Sequence, residues 1–99
     1  MQGDGDLVLT AGLIRIAALL GRDGLRPVVE GLQAELRQAL DRPEQADAHR
    51  IAGLAGTLGF ADVSCCWQAV DQGGADVAAA LHVSRIALAA IDGWLRAEG

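Results

Sequence analysis

Apolar residues recur along this chain at the three- and four-residue spacing of amphipathic helices, and short polar or glycine-containing stretches separate the helical runs. Each run starts at a residue that can cap a helix, and the predicted spans are Thr10 to Leu20, Asp23 to Leu40, Asp41 to Gly59, Asp62 to Asp71, and Ala75 or Asp76 to Arg96. Residues 1–6 are small and polar and are expected to fray, and Gly21 is typical of a helix stop.

Two prolines fall close to predicted helix starts, where the ring is best tolerated. Pro43 follows Asp41 within a capping-box spacing that Glu44 completes, so it is expected in the first turn of the third helix. Pro27 is placed either in the first turn of the second helix or at a break between two helical pieces.

All the predicted connections are short, and sequential helices joined by short links pack antiparallel. The expected fold is therefore all-α, an antiparallel up-down four-helix bundle with an additional short N-terminal helix at one end. The 99 residues, of which 52% are hydrophobic, suffice for a single domain that spans residues 1–99.

Charge and targeting signals narrow the classes of partner. The net charge is −5 and all eight cations are arginines, which disfavours nucleic acid because its recognition depends on neutralising phosphates. A helix-turn-helix interpretation of residues 55–70 fails for the same reason, since residues 64–70 contain no Arg or Lys. The adjacent cysteines Cys65 and Cys66 are poorly placed to form a disulfide with each other, and the sequence has no signal-peptide pattern and no apolar run near ~20 residues. These features predict a cytoplasmic protein without a membrane partner, and we also expect it to be a monomer.

The stretch with candidate chemistry is HRIAGLAGTLGF, residues 49–60. Gly53 and Gly56 follow His49 by four and seven residues, so they lie on its side of a helix, as does Ala52. The opposite side is apolar, with Ala48, Ile51, Ala55 and Leu58. Because glycine inside a helix costs about 1 kcal/mol relative to alanine, we expect a partner to approach the histidine side closely.

This stretch resembles the motif of histidine-containing phosphotransfer (HPt) domains, which reads His, any residue, Leu or Ile, Lys, Gly, with a second Gly ten positions after the histidine. Here the corresponding residues are His49, Arg50, Ile51, Ala52, Gly53 and Gly59. The similarity continues upstream over residues 13–40. Downstream, Val70 and Asp71 stand where the family tends to have Leu-Glu or Leu-Gln.

The resemblance implies a four-helix bundle whose histidine, His49, accepts a phosphoryl group from a receiver-domain aspartate and passes it to another receiver. The implied partners are response-regulator receiver domains and a hybrid histidine kinase in a two-component multistep phosphorelay. Such a protein is a phosphoryl carrier rather than a stand-alone enzyme and has no cofactor of its own. The Mg²⁺ would belong to the receiver, since no carboxylate cluster surrounds His49 in the sequence.

The resemblance also assigns supporting roles around the phosphoacceptor. Asp71 would accept a hydrogen bond from the second imidazole nitrogen and orient the ring. Gln45, Gly53 and Gly56 would form the docking surface for the partner.

The chain departs from the HPt motif at the position where that motif has lysine. That position is Ala52, so Arg50 or Arg37 would have to balance the phosphoryl charge. The alternative interpretation is a degenerate HPt-like bundle that binds a receiver or a histidine kinase without carrying phosphate.

Overall fold

The computed structural model describes residues 2–74 and 76–97, with side chains from residue 10 onward. The described residues form five α-helices and no strand, so the all-α prediction is confirmed. The helices are α1 (Gln2–Leu20), α2 (Arg22–Asp41), α3 (Ala48–Thr57), α4 (Ala61–Asp71) and α5 (Val77–Ala97), and a short 3-10 helix, Pro43–Gln45, precedes α3.

The helices share one hydrophobic core. Helix α3 packs against α4, α2 packs against both α3 and α5, α4 packs against α5, and α1 lies against α2 and α5. The largest fully buried side chains include Trp67, Phe60, Leu32, Leu36, Ile51 and Ile91. Burying each such side chain stabilises the fold by roughly 1.5–3 kcal/mol, which makes this core the main source of stability.

One polar contact crosses the core between α4 and α5. The indole Nε1 of Trp67 donates a hydrogen bond to Ser84 Oγ at 2.8 Å, and that hydroxyl donates to the Ala80 carbonyl at 2.7 Å. Trp67 and Ser84 are both buried. Because the indole N–H and the Ser84 hydroxyl each have a hydrogen-bond partner, Trp67 is buried without an unpaired polar group, and the contact joins α4 to α5.

The N-terminal helix starts earlier than predicted. Helix α1 begins at Gln2 and has 19 residues, so it is not a short element and Thr10 lies within it rather than capping it. The predicted stop is confirmed: Gly21 has φ of 83° and its N–H donates to the Ala17 carbonyl at 2.8 Å.

The second helix runs through Pro27 without a break. Gly21, not Asp23, occupies the cap position, and Pro27 lies in the second turn rather than the first. Proline removes one hydrogen bond there, and the buried side chains of Leu25 and Val29 on either side hold the helix on the core. At its start, the guanidinium of Arg22 lies 3.9 Å from the centre of the Trp94 ring, which fixes α2 on α5.

The start of the third helix differs most from its prediction. Asp41 ends α2, and Asp47 is the cap of α3, where its carboxylate accepts a hydrogen bond from the Arg50 N–H at 3.0 Å. The chain offers two aspartates that can cap, and Pro43 favours the tight 3-10 turn between them. The capping-box pattern at Asp41 is therefore not used.

The remaining boundaries lie close to the predicted ones. Phe60 rather than Asp62 precedes α4, and Asp62 falls in the first turn of that helix. Asp76 Oδ1 accepts from the Ala78 N–H at 2.9 Å just before α5, while the alternative start, Ala75, lies outside the described residues.

Helix α5 is long and apolar enough to cross a membrane by length and composition alone, which the sequence analysis did not expect. Within the described part of the chain no other helix meets that test. It buries Ala80, Ala87, Ile91 and Trp94 in the shared core, and a core helix of a soluble protein passes the same test.

Candidate functional site

His49 lies on the surface in the first turn of α3, with its side chain 89% exposed. The cap at Asp47 fixes the start of this helix, because its carboxylate satisfies one of the otherwise unpaired N–H groups. The first turn of a helix carries partial positive charge, which favours an anion near it. The imidazole is therefore accessible at a helix start whose backbone favours a nearby anion.

Asp71 lies beside this histidine because α3 and α4 form an antiparallel hairpin, in which the end of α4 meets the start of α3. Its Oδ2 atom is 3.5 Å from His49 Nδ1, and its side chain is 42% exposed. This distance permits an electrostatic interaction but exceeds that of a good hydrogen bond. With Nδ1 facing a carboxylate, the other ring nitrogen, Nε2, is the one available to a reacting group. The structure thus brings together the two residues that the sequence analysis paired.

The two glycines on the predicted docking surface have different surroundings. A Cβ atom built at Gly53 would meet nothing within 4 Å, whereas one at Gly56 would lie 3.1 Å from Ser64 Oγ. Ser64 in turn donates a hydrogen bond to the Ala52 carbonyl at 2.9 Å. Gly53 therefore leaves open surface near His49, while Gly56 also serves the close packing of α3 on α4.

The other predicted docking residue, Gln45, lies before α3 in the 3-10 helix and not within α3 itself. Its side chain is exposed. It remains a surface residue on the segment that leads directly into α3.

Neither arginine that was expected to replace the family lysine contacts the imidazole. The Arg50 Nε donates to Glu35 Oε2 on α2 at 3.0 Å, and Arg37 contacts Asp92 Oδ1 on α5 at 3.3 Å. Ala52, at the position of that lysine, is half-buried and packs against the core.

The sequence analysis missed the role of Glu35. It precedes Arg50 by 15 residues and belongs to a different helix, so no local spacing connects the two. Only the packing of α2 on α3, which a single sequence does not reveal, brings them into contact.

The turn between α3 and α4 contacts the N-terminal helix. Gly59 has φ of 87°, and a Cβ on it would lie 2.9 Å from the Cα of Gly12 in α1. A Cβ on Gly12 would likewise lie 2.9 Å from both Gly59 Cα and the Leu58 carbonyl oxygen. Two glycines thus allow backbone-to-backbone contact that fixes the closed end of the hairpin.

Comparison with protein-family models, with curated proteins and with solved structures finds no match to this chain.

Proposed function

We propose that this protein is a histidine phosphotransfer protein of the HPt type, which carries a phosphoryl group on His49 between receiver-domain aspartates. In this proposal α2 to α5 form an antiparallel up-down four-helix bundle, with α1 packed on its side. The closed series of contacts from α2 to α3, α4, α5 and back to α2 supports this arrangement.

The observation that carries the proposal is the pair formed by His49 and Asp71. An imidazole that is 89% exposed, with a carboxylate 3.5 Å from its Nδ1, has the arrangement of a nucleophile and the group that orients it. The open surface at Gly53, one helical turn further along α3, leaves room for the rim of a partner's active site.

The chemical step follows from this geometry. The neutral ring attacks the phosphorus of a receiver's aspartyl phosphate through Nε2, so that an N–P bond forms and the O–P bond to the aspartate breaks. The receiver's carboxylate leaves with the electron pair of that bond. The proton on Nδ1 stays in place, and the positive charge that develops on the ring faces Asp71. The transfer requires in-line positioning and charge stabilisation more than covalent assistance.

The remaining components come from the partner. Receiver domains and a hybrid histidine kinase would dock on Gln45, Gly53 and Gly56, and the receiver would supply the Mg²⁺ that neutralises the transferred group. The proposed setting is a two-component phosphorelay in the cytoplasm, with the protein acting as a monomer.

The test is transfer from a receiver domain that carries labelled phosphate, in the presence of Mg²⁺. We expect label on the wild-type protein that is labile in acid and stable in base, as a phosphoramidate bond is. His49→Gln should abolish the label, and His82→Gln, which removes the chain's other exposed histidine on α5, should not. No label with any receiver from the same cell, or label that persists in His49→Gln, would rule out the carrier function.

A second candidate function is receiver or kinase binding without phosphate transfer. It is favoured by Ala52 at the position of the family lysine and by the engagement of Arg50 with Glu35, since both leave the ring without a contacting cation. Binding of a receiver with equal affinity to the wild type and to His49→Gln, in the absence of label, would support this function.

A further inference from the structure

The surroundings of His49 carry more negative than positive charge. The segment from Pro43 to Asp71 contains one arginine, Arg50, and no lysine. Of the carboxylates in this segment, Asp71 faces the ring and Glu44 and Asp47 lie just before His49, while Asp62 lies at the other end of the hairpin. A phosphoryl group adds about 1.5 to 2 negative charges at neutral pH, so the phosphorylated site needs a cation.

Arg50 is the arginine best placed to supply that cation. It follows His49 in α3, about 100° further round the helix, and its side chain is long and 58% exposed. Its Nε is bound to Glu35 at 3.0 Å. Arg37 is engaged by Asp92 on α5, and Arg42 lies 3.8 Å from Asp41. Because Glu35 binds the Nε of Arg50, turning the whole guanidinium towards His49 breaks that contact.

The contact with Glu35 is strong enough to position Arg50 and weak enough to exchange. The Glu35 side chain is only 22% exposed, so packing restrains the carboxylate while the guanidinium remains at the surface. Ion pairs at exposed positions contribute little net stability, because water competes for both groups. A phosphoryl group carries more charge than a carboxylate and accepts paired hydrogen bonds from a guanidinium, so it competes well for Arg50.

We infer that Glu35 is a positioning residue that controls the lifetime of phosphorylated His49 through Arg50. In the resting protein Glu35 holds Arg50 on the α2 side, and after phosphorylation Arg50 exchanges this carboxylate for the phosphoryl oxygens. This inference rests on the proposed phosphotransfer function.

Whether Arg50 lengthens or shortens the phosphohistidine lifetime depends on how the charge of the phosphoryl group changes during hydrolysis. In a loose, metaphosphate-like transition state the transferred group carries less negative charge than in the phosphorylated ground state. A guanidinium on its oxygens therefore stabilises the ground state more than the transition state, and hydrolysis slows. Freeing Arg50 from Glu35 should lengthen the lifetime, and removing Arg50 should shorten it.

The experiment loads His49 without a receiver, using phosphoramidate as the phosphoryl donor. The P–N bond of the donor breaks, ammonia leaves, and an N–P bond forms at His49 Nε2. The decay of phosphohistidine is then followed by ³¹P NMR in proteins that also carry His82→Gln, because His82 is exposed as well. We expect Glu35→Gln to lengthen the lifetime about two- to fivefold, which is the range for an exposed ion pair. Arg50→Gln should shorten it, and Glu35→Gln in the Arg50→Gln background should have no further effect.

A matched control comes from the same helix. Glu30→Gln removes the carboxylate of a second exposed arginine pair on α2, Arg26 with Glu30 at 3.2 Å, and changes the net charge equally. It should leave the lifetime unchanged. The ³¹P chemical shift provides a second readout, because a guanidinium on the phosphoryl oxygens moves it and a loosened helix does not. Thermal unfolding of each variant checks that the fold persists.

The outcomes separate the two proposals. An unchanged lifetime in Glu35→Gln, or the same lengthening with and without Arg50, would overturn the inference about Glu35 and leave phosphotransfer intact. Failure of every receiver domain to label His49, which is the test of the proposed function, would overturn phosphotransfer itself, and the inference with it.

Discussion

The two ends of the α3–α4 hairpin use glycine for opposite purposes. At the open end, a Cβ on Gly53 would meet nothing within 4 Å, and the neighbouring His49 is exposed. At the turn, Gly59 and Gly12 bring two backbones so close that a Cβ on either would lie 2.9 Å from the other residue. The same residue type therefore creates free surface at one end and tight packing at the other. Sequence spacing alone does not distinguish the two uses.

The largest loss of stability should come from adding a side chain at Gly59, in the turn between α3 and α4. In Gly59→Ala, a side chain is placed at φ of 87° and directly against the Gly12 backbone, which cannot move aside as a side chain can. We expect the free energy of unfolding to fall by about 2–4 kcal/mol, the sum of the left-handed strain and the crowding. Chemical denaturation measures it.

Two variants separate those contributions. Gly73 also has a positive φ, 77°, but a Cβ on it would meet nothing within 4 Å, so Gly73→Ala reports the strain alone. Gly12→Ala reports the crowding without left-handed strain, offset by the up to about 1 kcal/mol of helix propensity that alanine adds inside α1. If Gly59→Ala costs no more than Gly73→Ala, the contact between α1 and the turn does not stabilise the fold.

The helices themselves were largely predictable, because their signal is local. Apolar spacing placed the ends of α2, α4 and α5 within a few residues, and glycine marked the end of α1 at Gly21. Helix starts were less predictable, since Asp41 and Asp47 compete to cap α3 and only the packed structure selects between them.

The candidate site was predictable only in part. The resemblance to HPt domains indicated that Asp71 would lie beside His49, and the antiparallel hairpin of α3 and α4 brings the two side chains within 3.5 Å. The partner of Arg50 did not follow, because Glu35 comes from a helix whose rotation against α3 depends on the whole core. The contact of Gly59 with Gly12 was missed for the same reason.

A smaller effect is expected at the open end from Asp71→Asn. This change keeps the size of the side chain and removes the charge that faces His49 Nδ1 at 3.5 Å. We expect the rate of phosphoryl transfer to fall about tenfold, the cost of losing one charge-assisted contact in the transition state. Rapid-quench transfer assays measure it, with little change expected in the unfolding free energy.

Asp62→Asn is the matched control, since Asp62 is exposed on the same helix but lies in its first turn, at the closed end of the hairpin. It should transfer at the wild-type rate. Equal losses in both variants would mean that general surface charge, and not the contact with His49, accounts for the effect.

Gly53 offers a test in which stability and binding change in opposite directions. Gly53→Ala should raise the unfolding free energy by up to about 1 kcal/mol, because the helix gains propensity and the Cβ enters open space. Gly53→Gln should gain part of this stability but weaken receiver binding, since its longer side chain fills the docking surface. Calorimetric titration with a receiver compares them, and equal affinity for both would place the docking surface elsewhere.

The smallest effect is expected from a substitution at Ala52, the position at which the HPt motif has lysine. Ala52 is half-buried, so a lysine there must extend along the surface before its charge reaches solvent, and its aliphatic part can pack while the ammonium stays exposed. We expect Ala52→Lys to lengthen the phosphohistidine lifetime about two- to threefold, as one additional exposed cation would. The informative comparison is with Arg50→Gln. If the lysine has no effect in the wild type but restores the lifetime in Arg50→Gln, then Arg50 already supplies the cation that Ala52 lacks. If it has no effect in either background, a cation at position 52 does not act on the phosphoryl group, and the roles of Arg50 and Glu35 are decided by their own variants.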